Sequence, residues 1–323
     1  MLNNLINRTL RKIKQGRDFG LWFTLRNIYY RQRNDYDSEI KMIKTKLMME
    51  NDSIIDNLRN KIKYWDYTNS AKSRNIYAMW WQGKDNMLET IQICKKSQEK
   101  YARRIGAKYH FITKYNLYDY VNIPDKFISM LENGIISITH FSDLVRMTLL
   151  ESLGGCWIDS TVYVTNECNE DIFLYPFYSF KTDNTVHVPV GIGQKITECK
   201  WSSFFIVSPY INSPLITYIK ESLYNYWNLH TSVANYFFLN MIIKIAYDEV
   251  IEVRNAIDGI PYNNNHIYSL AEIINEPYDS SIMNTIMKDT GFFKLSWKRD
   301  FKYFKGNKLS YYGYLCRNNQ IKI

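Results

Sequence analysis

The residues best suited to chemistry lie in segment 137–164, which reads SITHFSDLVRMTLLESLGGCWIDSTVYV. Asp143 and Arg146 are three positions apart in a helical pattern, so their side chains project from one side of a helix. A glycine pair ends this helix, and the next residues alternate as a strand that carries Asp159 among apolar residues. A carboxylate in such a strand is costly unless it is paired or bound to a cation.

Each of these groups has two explanations. Met147 and Leu150 flank the side of the helix that carries Asp143 and Arg146. This flanking indicates a covered ion pair, with an ordinary surface pair as the alternative. For Asp159, the partner could be Mg²⁺ or Mn²⁺, which commonly binds one or two protein carboxylates together with substrate phosphates. A purely structural explanation of Asp159 would require a partner side chain.

The elements that must position these residues begin with a short aromatic strand over 75–81. A helical pattern over 87–105 and a second strand over 107–113 follow it. Strand, helix and strand in this order predict a parallel βαβ unit. In such sheets, ligands bind at the carboxyl ends of the strands.

Trp81, Gln82 and Gly83 directly follow the first of these strands. A tryptophan at this place could stack on a nucleotide base, and a glycine would allow the backbone to approach a ligand closely. Core filling by the tryptophan and a plain turn glycine explain the same residues equally well.

The remaining patterns complete an α/β prediction. Apolar residues recur at helical spacing over 38–65, and a strand over 204–207 precedes helices over 213–227 and 232–247. We predict a helical extension over residues 1–70 and one catalytic domain over residues 71–323.

The net charge of +9 is concentrated near the start of the chain. Residues 1–33 hold eight lysines and arginines against Asp18 alone, interleaved with aliphatic and aromatic residues. This composition predicts a peripheral anchor on an anionic membrane surface. An amphipathic helix docked on its own domain is the alternative. The rest of the chain is nearly neutral, which disfavours nucleic acid as a partner.

Cysteine usage and hydropathy indicate the compartment. Five scattered cysteines form no CxxC pair, so we expect reduced thiols and no zinc site. No apolar run is long enough for a membrane span, and the N-terminus lacks a secretory signal pattern. These features predict a cytoplasmic protein that is peripheral at the inner face of the membrane.

Three motifs, in this order, carry a family resemblance: Trp81-Gln82-Gly83, Ser142-Asp143-x-x-Arg146 and Gly154-Gly155-x-Trp157-x-Asp159-Ser160-Thr161. Together they resemble the bacterial capsular polysaccharide synthesis glycosyltransferases. These are relatives of the DxD sugar transferases, which include yeast-type mannosyltransferases and glucosylating clostridial toxins. The resemblance covers residues 75–164 and extends more loosely to 294–298. Each motif is short, but their order and spacing together are fairly specific.

The resemblance implies a glycosyltransferase A-type, nucleotide-sugar-binding α/β fold with a mixed central sheet and an N-terminal helical extension. It implies that Trp81 lies by the base, that Asp143 and Arg146 hold the ribose and donor sugar, and that Asp159 ligates Mn²⁺ or Mg²⁺. The implied donor-binding residues are Trp81, Gln82, Gly83, Asp143, Arg146, Ser160, Thr161, Ser296 and Trp297. Asp143, Arg146 and Asp159 are the implied catalytic residues, and Asp159 and Thr161 are the implied metal ligands.

The implied reaction moves a hexose or related sugar from a nucleotide-diphosphate sugar, with UDP favoured, and retains the anomeric configuration. The implied acceptor is a glycan or a lipid-linked oligosaccharide in surface polysaccharide synthesis. Thr161 stands where the wider DxD pattern has its second aspartate. This departure keeps open a nucleotide-sugar-binding fold without turnover. A basic membrane-surface scaffold in polysaccharide assembly is the third hypothesis.

Overall fold

The protein has a mixed α/β architecture in a computed structural model that describes residues 12–165, 171–183 and 191–321. Its helices are α1 (12–19), α2 (Leu21–Arg33), α3 (Tyr36–Glu50), α4 (Asp52–Ile62), α5 (Glu89–Arg104), α6 (Asp125–Glu132), α7 (Ile138–Leu153), α8 (Ile192–Thr197), α9 (Pro214–Leu229), α10 (Phe238–Glu249), α11 (Ile251–Asp258), α12 (Ser269–Glu272), α13 (Ser280–Met287) and α14 (Tyr311–Asn318). Its strands are β1 (Asn75–Met79), β2 (Lys108–Ile112), β3 (Gly155–Ile158), β4 (Val162–Val164), β5 (Tyr178–Ser179), β6 (Phe205–Ser208), β7 (Phe292–Lys294), β8 (Phe304–Lys305) and β9 (Lys308–Leu309). The predicted fold class and N-terminal helices are confirmed.

The central sheet has five strands in the order β2-β1-β3-β6-β5. β1 runs parallel to β2 and to β3, whereas β6 is antiparallel to β3 and to β5. The predicted parallel βαβ unit is therefore present as β1, α5 and β2. Because β1 and β3 are parallel, their carboxyl ends meet at one edge of the sheet.

The predicted continuous strand around Asp159 is wrong. β3 pairs with β6 in the central sheet, whereas β4 pairs with β7 in a separate two-stranded sheet. Asp159 lies in the turn between them, where its carbonyl oxygen accepts from Val162 N at 2.9 Å. Local alternation of residue types cannot reveal this change of sheet, because the change depends on partners distant in sequence.

A glutamine of α5 holds this turn in place through hydrogen bonds to its backbone. Gln98 Nε2 donates to the carbonyl oxygens of Asp159 at 2.9 Å and Val162 at 2.7 Å, and Gln98 Oε1 accepts from Tyr109 at 2.8 Å. Gln98 is fully buried, so these bonds satisfy polar groups that would otherwise be costly. The backbone around Asp159 is thereby held in one conformation.

The N-terminal helices pack on the same core as the sheet. Ile43 and Leu47 of α3 and Ile55 and Leu58 of α4 are buried in the cluster that contains β1, β3 and β6. The predicted domain boundary at residue 70 stays a prediction. Cys94, Cys156, Cys199 and Cys316 are free and buried, as expected for reduced thiols, and Cys168 lies outside the described residues.

Gly155 provides a test of how closely β3 approaches β1. Its φ is +114°, and a Cβ atom there would lie 2.4 Å from the carbonyl oxygen of Asn75. We expect Gly155→Ala to lower the free energy of unfolding by about 3 kcal/mol or more in urea titrations, from clash and backbone strain together. Gly134→Ala, with φ +65° and open space around its Cβ position, should cost only about 1 kcal/mol. Equal losses would contradict the close approach.

Candidate functional site

A cavity of about 450 Å³ opens at the carboxyl ends of β1 and β3. Eight of the ten predicted site residues line it: Trp81, Gln82, Arg146, Asp159, Ser160, Thr161, Ser296 and Trp297. They come from two strand ends, from helix α7 and from the loop after β7. The fold therefore brings together residues that are more than 200 positions apart in the sequence.

Asp159 is the central acidic group of this cavity. Its Oδ1 accepts from the indole nitrogen of Trp157 at 2.9 Å and from Arg146 Nη2 at 3.3 Å. Its Oδ2 accepts from Lys294 Nζ at 2.7 Å. A purely structural explanation of Asp159 required a partner side chain, and Trp157, Arg146 and Lys294 are such partners. Each carboxylate oxygen accepts at least one charge-assisted hydrogen bond.

Lys294 is the functional candidate that the sequence analysis missed. Besides Asp159, its ammonium donates to Thr161 Oγ1 at 2.8 Å and lies 4.7 Å from the ring centroid of Phe204. Lys294 reaches the site because β7 pairs with β4, with Val162 opposite Lys294. The only signal in the sequence was its position two residues before Ser296, and this spacing alone does not assign a function to a lysine.

Arg146 joins the helix to the strand ends. Its Nη1 donates to the carbonyl oxygen of Ser203, and its Nη2 lies 3.4 Å from Asp143 Oδ1. The guanidinium carbon lies 4.9 Å from the centroid of the Trp157 ring. Arg146 is 4% exposed and Asp143 is 8% exposed, which confirms a covered pair and contradicts the surface alternative.

Two predicted site residues do not line the cavity. Asp143 lies behind Arg146, where it can orient the guanidinium but does not face the space a donor would fill. Gly83 is buried, with φ +93°, and a Cβ atom there would lie 2.8 Å from the Tyr115 ring. The glycine is therefore required by packing against Tyr115. Their predicted roles in donor binding stay predictions.

The two carboxylates differ in their ionisation. Burial raises the pKa of Asp143 to about 7, against the opposing effect of Arg146, and the nearby charge of Asp159 raises it further. Burial also acts to raise the pKa of Asp159, but Lys294, Arg146 and the hydrogen bond from Trp157 outweigh it and leave the pKa below the ordinary value. Asp159 is therefore the anionic group of the site at neutral pH.

Aromatic rings form the walls. Trp81 packs edge to face on Phe141, with centroids 5.0 Å apart, and Trp297 meets Trp80 in the same manner at 6.1 Å. Trp297 is nonetheless 46% exposed. Its remaining surface is open to a ligand, which suits the late-loop position that the resemblance implies for it.

The residues as arranged do not fit a divalent ion. Asp159 and Thr161, the two predicted metal ligands, both accept hydrogen bonds from the same lysine ammonium. An ion between them would require Lys294 to move. Within the described ranges, no cluster of three or more His, Cys, Asp and Glu side chains is placed to hold a metal. Binding of Mn²⁺ or Mg²⁺ stays a prediction, and the reaction proposed below includes no step that involves a metal ion.

The mixed sheet, with a cationic, aromatic-walled cavity at the ends of its parallel strands, puts the protein in the class of open-sheet α/β proteins, in which ligands commonly bind at this edge. More particularly, residues 25–315 match the family model described as capsular polysaccharide synthesis protein. The match covers most of the chain, so the protein belongs to this family, as the resemblance predicted. No curated protein sequence matches the chain. Membership indicates a role in capsular polysaccharide synthesis.

The raised pKa of Asp143 predicts a pH-dependent stability. Between about pH 4 and pH 7 the folded state holds this proton more tightly than the unfolded state, so stability from this group falls as pH rises through that window. Asp143→Asn cannot titrate. Its free energy of unfolding relative to the native chain should therefore be higher at pH 8 than at pH 5, with a slope of at most about 1.4 kcal/mol per pH unit. A difference between the two chains that does not change with pH in urea titrations would contradict the assignment.

Proposed function

We propose that the protein is a glycosyltransferase that moves a sugar from a nucleotide-diphosphate sugar, bound in the cavity at Asp159, to a glycan acceptor in capsular polysaccharide synthesis. The observation that carries this proposal is the pairing of Asp159 with Arg146 and Lys294 inside an aromatic-walled cavity. Family membership supports the pathway, and the arrangement of charge and rings supports the substrate class.

Charge complementarity favours a diphosphate. Arg146, Lys294 and Lys298 line the cavity against Asp159 alone, which leaves an excess of two positive charges. Each phosphate of a nucleotide-diphosphate sugar carries one negative charge. A ligand of this kind would neutralise the cavity, and partial exclusion of water would strengthen the attraction.

The same cations suit the chemistry of transfer. The bond between the anomeric carbon and the diphosphate oxygen breaks, and its electron pair stays on the diphosphate. A new bond forms from the anomeric carbon to the acceptor hydroxyl oxygen, whose proton leaves with the nucleotide. Fixed cations beside the diphosphate stabilise the charge that develops there, and a held donor sugar reduces the entropic cost.

Several finer features of the proposal come from the resemblance. Trp81 would stack on the base, with UDP favoured, and the transfer would retain the anomeric configuration. Ser160 and Gln82 line the same cavity and offer hydrogen bonds to the donor. A lipid-linked oligosaccharide as acceptor would place the reaction at a membrane surface.

Loss of the central carboxylate tests the reaction. We expect the native chain to release nucleotide from one donor in a panel of nucleotide sugars, with and without an added glycan acceptor. Asp159→Asn removes the charge that positions both Arg146 and Lys294, and we expect at least about a 100-fold loss of kcat/KM. Nucleotide release is measured by coupled assay or chromatography.

Asp119→Asn is the matched control, because Asp119 is exposed and lies outside the cavity. It should retain native turnover. Nucleotide binding without any release, with or without acceptor, would contradict transfer and favour a binding fold without turnover. Unchanged polysaccharide production in cells that carry Asp159→Asn would favour the scaffold hypothesis.

We further propose that helix α2 holds the protein at an anionic membrane surface. Leu21, Trp22, Leu25 and Tyr29 form one stripe along α2 and are all exposed, Trp22 by 79%. The exposed basic residues Arg26 and Arg33 border this stripe. An apolar stripe with basic neighbours is typical of interfacial helices. Residues 1–11 of the predicted anchor lie outside the described residues.

The opposite side of α2 is docked on the protein, through Phe23 against the core and through polar side chains. Asn27 Nδ2 donates to the carbonyl oxygen of Ala234 at 3.2 Å, and Arg31 Nη2 donates to the same oxygen at 2.9 Å. Arg31 also pairs with buried Glu39 at 2.8 Å. These contacts dock one side of α2, whereas the apolar stripe points outward, which docking alone does not explain. No helix in the described part of the chain has the length and apolarity to cross a membrane.

Substitutions that introduce negative charge into the exposed stripe test the membrane proposal. The double variant Trp22→Glu/Leu25→Glu should bind phosphatidylserine vesicles at least about tenfold more weakly in flotation assays, because it removes apolar contact and repels the anionic surface. Tyr64→Glu is the control, since Tyr64 is 87% exposed and follows α4. Nucleotide binding should be unchanged in both. Vesicle binding of the double variant equal to that of the control would contradict the proposal.

A further inference from the structure

We propose that Lys294 is the resident cation of the donor site and holds the donor diphosphate at the place where the sequence predicts a divalent ion. This inference rests on the proposed function and deepens it. It assigns the binding of the diphosphate to a side chain of the protein itself. It also predicts that donor binding and turnover proceed without added metal.

The Lys294 ammonium contacts both predicted metal ligands. Lys294 Nζ lies 2.7 Å from Asp159 Oδ2 and 2.8 Å from Thr161 Oγ1. These two side chains are the residues that the family resemblance assigns to the metal. One cation of the protein therefore already contacts both of them. Threonine in place of a second motif aspartate removes a negative charge, which matches a single-charged ammonium better than a divalent ion.

The described residues use only part of the hydrogen-bonding capacity of the Lys294 ammonium. An ammonium group has three N–H donors. Within the described residues, two of them bond Asp159 and Thr161, and the ring of Phe204 lies 4.7 Å away. Lys294 also lines the cavity. One donor is thus left for a phosphate oxygen in the cavity.

Backbone hydrogen bonds hold Lys294 in place. The backbone of Lys294 is fixed by strand pairing with Val162 and by its N–H bond to the carbonyl oxygen of Ile267 at 2.8 Å. Leu295 N donates to the carbonyl oxygen of Thr161 at 2.9 Å. The lysine and the turn that carries Asp159 are therefore parts of one hydrogen-bonded unit. A cation held in this way requires little reorganisation when a diphosphate binds.

The test combines metal removal with loss of the ammonium. The native chain is assayed for UDP and GDP binding by calorimetry and for donor turnover, in EDTA and in Mn²⁺. We expect both readouts in EDTA to lie within about twofold of those in Mn²⁺. Lys294→Met keeps the aliphatic stem and removes the charge, and should weaken nucleotide binding in EDTA by at least about tenfold.

The variant provides a second, independent readout. In Lys294→Met, Asp159 Oδ2 loses its partner, so added Mn²⁺ should restore nucleotide binding at least in part, whereas it does little for the native chain. Lys294→Arg keeps the charge and should stay closer to the native chain than Lys294→Met. Lys288→Met, an exposed lysine six residues earlier, should behave as native. Thermal melts confirm that each variant is folded.

The outcomes separate this inference from the proposed function. Nucleotide binding and turnover that vanish in EDTA for the native chain would overturn the role of Lys294 and leave the transferase proposal standing. Native affinity in folded Lys294→Met would overturn it as well. Metal-independent nucleotide binding without turnover of any donor would support Lys294 while contradicting transfer. Absence of any nucleotide binding by the native chain would overturn both.

Discussion

The structure of the site depends on one constraint, the compensation of the Asp159 carboxylate. This group lies at the end of β3, largely enclosed, in a turn where the chain passes from one sheet to another. An uncompensated carboxylate in such surroundings would be protonated or would destabilise the fold. Two cations and an indole N–H provide the compensation, and together they shape the cavity beside it.

The two cations reach Asp159 in different ways. Arg146 projects from α7, packs on the Trp157 ring and is oriented from behind by Asp143, so the helix and the strand act as one unit. Lys294 arrives through the pairing of β7 with β4. Gly155, the first residue of β3, allows this strand to lie close to β1, which aligns the strand ends that form the cavity. The close packing of the strands and the positions of the two cations are thus linked at this edge of the sheet.

In the N-terminal region, the packing of α2 also decides which of its side chains stay exposed. α2 docks on the protein through Phe23 and polar side chains, and leaves a second apolar stripe, which includes Trp22 and Leu25, exposed. Its hydrogen-bond partner is the carbonyl oxygen of Ala234, in the connection that leads into α10 and contributes Tyr236 to the cavity wall. The helix that would contact a membrane and one wall of the proposed donor site are therefore parts of the same packed unit.

The sequence by itself determined the parallel β1–α5–β2 unit and favoured a covered pair of Asp143 and Arg146. The order of its motifs, through the family resemblance, indicated eight of the residues that line the cavity. These features depend on local periodicity and on motif order, which a sequence displays directly. Only the tertiary structure decided that the strand breaks at Asp159, that Asp143 and Gly83 lie behind the cavity, and that Lys294 pairs with Asp159. Each of these depends on strand pairing or side-chain packing between residues far apart in the chain, and no local pattern encodes which distant partner a strand or a charge will meet.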